Sequence, residues 1–80
     1  MEFPQYRRYK NALSYFKINS ESTFIEYKLL GNKIEKYAVE AKILPDRNYI
    51  HDLLYEYGEH WEKLDESSFN AFLESHDEPK

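Results

Sequence analysis

Cysteine is absent from this chain, and only two glycines and three prolines punctuate it. No apolar run approaches the ~18 residues needed to span a membrane. Each scarcity excludes something. Without thiols there is no disulfide framework, no zinc–thiolate centre and no cysteine nucleophile. Gly31 and Gly58 are too few to build a glycine-rich loop around phosphates. Arg7, Arg8 and Lys10 stand near the start with no apolar segment behind them, so no secretion signal is expected. Short chains outside the cell usually carry cysteine staples, so the expected setting is cytoplasmic, with no membrane partner.

What the chain does have is aromatic surface: eight Tyr, five Phe and Trp61 among 80 residues. That composition belongs to a packed core rather than a disordered tail. At this length folding buries only about 60% of the chain's surface, which leaves room for one small domain and makes every apolar position count. The net charge of −4 is unevenly spread. Residues 1–44 hold eight Lys/Arg against five Asp/Glu, and residues 45–80 hold three against ten. Basic strands and acidic helices that neutralise each other within one domain account for this division.

Hydrophobic spacing predicts an α+β fold in the order β-β-β-α-β-α: a small antiparallel sheet of three to four strands with two helices. Residues 1–11 read as an arm whose Tyr6 and Tyr9 pack on the body. LSYFKI, 13–18, is rich in strand formers and carries an aromatic on each face. Residues 23–30 have two readings. Ile25, Tyr27 and Leu29 alternate with charge as in a strand, which is the favoured reading, while Ser20 and Gly31 would bound a helix. SESTF at 20–24 resembles DESSF at 65–69, a likeness that, if it marked a repeat, would favour the helix.

Residues 34–44 show the clearest two-residue period, with Tyr37, Val39, Ala41 and Ile43 expected inward. A three-residue loop, 31–33, pairs Tyr27 with Tyr37 and Ile25 with Val39, at the cost of setting Lys28 against Lys36. Pro45 then stops the strand, Asp46 serves as N-cap, and a helix over 46–57 buries Ile50, Leu53, Leu54 and Tyr57 before a left-handed cap at Gly58. A further strand is expected over 60–64 around Trp61. Asp65 caps a second helix, 66–74, with the stripe Phe69, Phe72 and Leu73, and the tail 75–80 frays.

The chemistry is sparse. His51, Asp52 and Glu56 share a helix, but the first and last are five residues apart, which does not converge on a metal. His60 has no nucleophile beside it, and the serines sit in turn and cap contexts. The sequence therefore implies no catalytic residue, no metal and no cofactor, and it predicts a non-enzyme. The best reading is a small protein-interaction or homodimerising domain, because a sheet with aromatics on both faces holds more apolar surface than one core uses. The alternative partner is single-stranded nucleic acid. For it, Tyr6, Arg7, Arg8, Tyr9 and Lys10, continued by Tyr15 and Lys17, interleave aromatics for stacking with cations for phosphate. These seven residues are the predicted binding set for either partner. The sequence pI of 5.3 opposes the nucleic-acid reading.

Overall fold

The computed structural model describes residues 2–76. The fold is α+β, with one five-stranded antiparallel sheet and two helices. The strands are β1 (Gln5–Tyr9), β2 (Ser14–Ile18), β3 (Thr23–Leu30), β4 (Lys33–Glu40) and β5 (Trp61–Leu64). The helices are α1 (Leu44–Tyr55) and α2 (Glu66–Ser75). The sheet runs in the order β4-β3-β2-β1-β5, so α1 carries the chain from one edge of the sheet to the other.

Each face of the sheet bears one helix. Arg7, Phe16, Ile18, Phe24 and Trp61 lie on one face, where Phe16, Ile18, Phe24 and Trp61 bury themselves against Ile50, Leu53 and Leu54 of α1. Tyr6, Tyr15, Tyr27 and Ile34 lie on the other, packed against Phe69 and Phe72 of α2. Of the expected stripes, Ile50, Leu53 and Leu54 of α1 and Phe69 and Phe72 of α2 are buried, while Leu73 is half-buried and Tyr57 falls beyond the end of α1, also half-buried. Trp61 anchors the first core, its ring 5.3 Å from that of Tyr9 and edge-on to Phe16 and Tyr49.

Burial on both faces explains the departures from the sequence reading. Residues 5–9 form no arm but the strand β1, between β2 and β5. A strand covered on both sides loses the apolar/polar alternation that would announce it, and QYRRY carries a cation and an aromatic towards each helix. Residues 23–30 are a strand while 66–75 are a helix, so the SESTF/DESSF likeness marks no structural repeat.

The β3–β4 hairpin takes a two-residue turn, Gly31–Asn32, not the three-residue loop. Tyr27 faces Lys36, Ile25 faces Ala38, Glu26 faces Tyr37 and Phe24 faces Val39. A three-residue loop follows only if β3 has a single inward face. Instead Phe24 goes to α1 and Tyr27 to α2, so both parities are used. The observed register also sets Lys28 against Glu35 rather than Lys36. Gly31 at φ +63 supplies the positive φ of the first turn position at no steric cost.

β4 ends at Glu40, and α1 begins at Leu44 with Pro45 inside its first turn, where its missing N–H goes unneeded. The N-cap is Ile43, without a side-chain bond, rather than Asp46. Gly58 sits in a 3₁₀ turn, Tyr57–Glu59, and is no left-handed cap. Asp65 does cap α2, its carboxylate accepting from the Ser68 amide at 2.7 Å. Ser75 ends α2, bonding the Ala71 carbonyl at 2.8 Å; the rest of the expected frayed tail, 77–80, lies outside the described residues.

Candidate interaction edge

The seven residues singled out in the sequence do not form one open surface. Arg7 is 1% exposed on the α1 face. Its Nε donates to the Leu53 carbonyl at 2.8 Å, Nη2 to the Leu54 carbonyl at 3.5 Å and Nη1 to the Tyr6 carbonyl at 2.8 Å, while the guanidinium lies 4.3 Å from the Tyr57 ring centre. A cation thus satisfies the orphan carbonyls at the C-terminal end of α1, where the helix dipole favours positive charge. Burial pushes the Arg7 pKa down from its ordinary value. Tyr6 is buried against Phe69, ring centres 4.7 Å apart, and Tyr15 is stacked on Phe72 at 3.6 Å. Tyr9 packs on Phe16 and Trp61 in the first core.

Arg8 pairs with Glu62 across β1 and β5, which raises its pKa further. Lys10 is exposed beyond the end of β1, and Lys17 is half-buried on the α2 face. The three aromatics that would stack bases, Tyr6, Tyr9 and Tyr15, are therefore packed on other rings of the protein.

His51 and His60 are exposed side chains. His51 lies 4.0 Å from Asp52, and His60 lies 3.8 Å from Glu59 and edge-on to Trp61. Among the described residues no group of three or more His, Cys, Asp or Glu is placed to hold a metal ion. A cleft of about 280 Å³ opens beside α1, with Ala41, Ile50 and Leu54 as its floor and Arg47, His51 and Tyr55 at its rim. The Tyr55 hydroxyl there donates to Glu21 at 3.3 Å, and Ser22 also lines the space, its backbone amide bonded to Ser20 Oγ.

β4 is different. It is an outer strand, and its register with β3 runs unbroken over all eight residues. Natural sheets guard their edges with proline, bulges, short strands or charged side chains. KIEKYAVE has no proline, no glycine and no break in its register; its guard is charge alone, Lys33, Glu35, Lys36 and Glu40, which alternate in sign. The opposite edge, β5, is four residues long and is followed within two residues by α2.

The two-residue turn makes Leu30–Lys33 a hydrogen-bonded pair, and antiparallel pairs alternate from there. Lys33, Glu35, Tyr37 and Val39 therefore point their backbone groups at β3. Ile34, Lys36, Ala38 and Glu40 point theirs at the open edge.

No family model, curated protein or solved structure matches this chain. The site is therefore read from its own residues.

Two apolar side chains of β4 lie on the α1 face: Tyr37 is 45% exposed, and Val39 is half-buried against the first core. The Tyr37 hydroxyl donates to Glu35, and that bond raises its pKa. Just beyond the strand, Ile43 and Leu44 are 61% and 69% exposed. A shallow hollow of about 370 Å³ lies along the same end of the hairpin, lined by Thr23, Phe24, Ile25, Ala38, Val39 and Glu40. Such an edge offers backbone donors and acceptors in a straight row with alternate apolar side chains, the requirements for accepting another strand. The sequence reading places the spare apolar surface on a sheet face, but each face is covered by a helix. Large exposed apolar side chains remain at Tyr37 on this edge, at Ile43 and Leu44 beyond it, and at Leu13, Leu30 and Tyr55 elsewhere, and only strand order, which non-local pairing decides, shows which strand is outermost.

Proposed function

We propose that this protein is a non-catalytic interaction module that binds its partner by β-strand addition at the β4 edge. The observation that carries this reading is the unbroken eight-residue edge strand, free of proline and bulges and charged with both signs, with Tyr37 and Val39 on its flank. Main-chain bonds from Ile34, Lys36, Ala38 and Glu40 supply the affinity, and the apolar flank supplies the selectivity.

Proline substitution tests the reading because backbone direction separates binding from folding. At Ala38 the amide faces outward, so Ala38→Pro removes an edge donor and spares the β3 ladder. The measurement is selection of extended octapeptides from a displayed library on the wild-type protein, followed by titration against the variant. The expected outcome is a set of peptides that bind wild type and lose at least about tenfold in affinity for Ala38→Pro, while circular dichroism shows an unchanged fold. Peptides that bind both equally, or a selection that yields none, would refute the edge as the binding site.

A further inference from the structure

We infer that the strand added to β4 is β4 of a second copy of this chain, paired antiparallel about a two-fold axis at Ala38. The inference rests on the edge reading above and names its partner.

The geometry limits the choices. Only residues whose backbone points outward can form the hydrogen-bonded pairs of a new ladder, so Ile34, Lys36, Ala38 and Glu40 must face one another. The two-fold axis then falls at a residue, not between two. Centred on Glu35 or Lys36, the pairing sets a like charge against itself. Centred on Tyr37, it sets Lys36 against Ala38, Glu35 against Val39 and Ile34 against Glu40, an apolar group facing a charge each time. Centred on Ile34, the ladder runs into the Gly31–Asn32 turn after Lys33.

The centre at Ala38 is the complementary one. Lys36 meets Glu40 of the second copy, and the symmetry repeats this pair. Tyr37 meets Val39 of the second copy, also twice, on the α1 face. Ala38 meets its own equivalent, where a small side chain lets the axis pass. Lys36–Glu40, Ala38–Ala38 and Glu40–Lys36 are then the hydrogen-bonded pairs, each joining outward-pointing residues. The alternating charge thus fits a second copy while presenting mixed charge to an unrelated apolar strand. The product is one continuous antiparallel sheet with both α1 helices on the same side.

Charge exchange tests the register. Sedimentation equilibrium of the full chain should show a concentration-dependent dimer. Lys36→Glu or Glu40→Lys alone places two like-charge pairs in the ladder and should weaken the dimer about tenfold. The double variant restores opposite charges and should recover most of the loss. The chain has no cysteine, so Ala38→Cys gives a clean second readout. It should form a disulfide-linked dimer under mild oxidation, and Tyr37→Cys should not. A wild type that stays monomeric up to millimolar concentration overturns the second copy as partner; octapeptide binding lost in Ala38→Pro would then still uphold the edge. A double variant as weak as the single ones, or linkage at Tyr37→Cys instead, overturns the Ala38 register.

Discussion

Arg7 and Arg8 are neighbours in sequence and opposites in role. Alternation along β1 sends one guanidinium beneath the end of α1 and the other to an exposed pair with Glu62. A buried cation without a carboxylate is costly unless neutral acceptors and a helix dipole surround it, as the Leu53, Leu54 and Tyr6 carbonyls do here. Arg7→Met leaves those buried carbonyls short of donors and should destabilise the fold by about 3 kcal/mol. Arg8→Ala breaks only a surface pair and should cost under about 1 kcal/mol. Urea denaturation of both variants checks the contrast; equal losses would mean that Arg7 does not act as the cap. Nothing in YRRY told these two arginines apart, because a run of cations and aromatics reads the same whether it faces phosphate or closes a helix. Burial, which depends on where α1 docks, separates them.

At the level of elements, local chemistry was the legible part. The buried cores of both helix stripes, the Asp65 cap, the presence of a hairpin turn at Gly31 and the strand status of 23–30 follow from periods and turn residues. Asp65 also provides a pH-dependent handle. The Ser68 amide holds its carboxyl below the usual value of 3.8. A depressed folded-state pKa stabilises the fold above the unfolded value, and that contribution is lost as pH falls through the folded one. Asp65→Ala should therefore lower the thermal midpoint at neutral pH, with the gap to wild type closing as pH drops below 3.8. Asp65→Asn keeps a capping oxygen without the charge and should fall between Asp65→Ala and wild type at neutral pH, converging on wild type in acid. A gap that is constant from neutral to acid pH would mean that the charged cap contributes nothing. The hairpin register was not legible, because assigning it required knowing that each face of β3 has its own helix.

Across the whole molecule, Arg8–Glu62 joins the basic first half of the chain to the acidic second, strand to strand, whereas Lys28 facing Glu35 and Lys42 at 3.8 Å from Glu40 are pairs within the first half. With two cores closed on the two faces of one sheet, the long regular margin left over is β4. No helix among the described residues is long and apolar enough to cross a membrane. The predicted binding set lies on and just beyond β1 and β2, both inner strands, whereas the outer strand β4 is separated from β2 by β3. Sequence patterns report how much apolar surface a segment carries. They do not report which strand ends up outermost, since that is decided by pairings between residues far apart in the chain.

Residue-resolved amide exchange along β4, at low and at high protein concentration, tests the central claim most directly. In dilute solution the amides of Glu35, Tyr37 and Val39 should be protected by β3, while those of Lys36, Ala38 and Glu40 exchange freely. Raising the concentration should bring the second set under protection and leave the first unchanged. Uniform protection along β4 in dilute solution, or free exchange at Lys36, Ala38 and Glu40 at every concentration, would contradict the account.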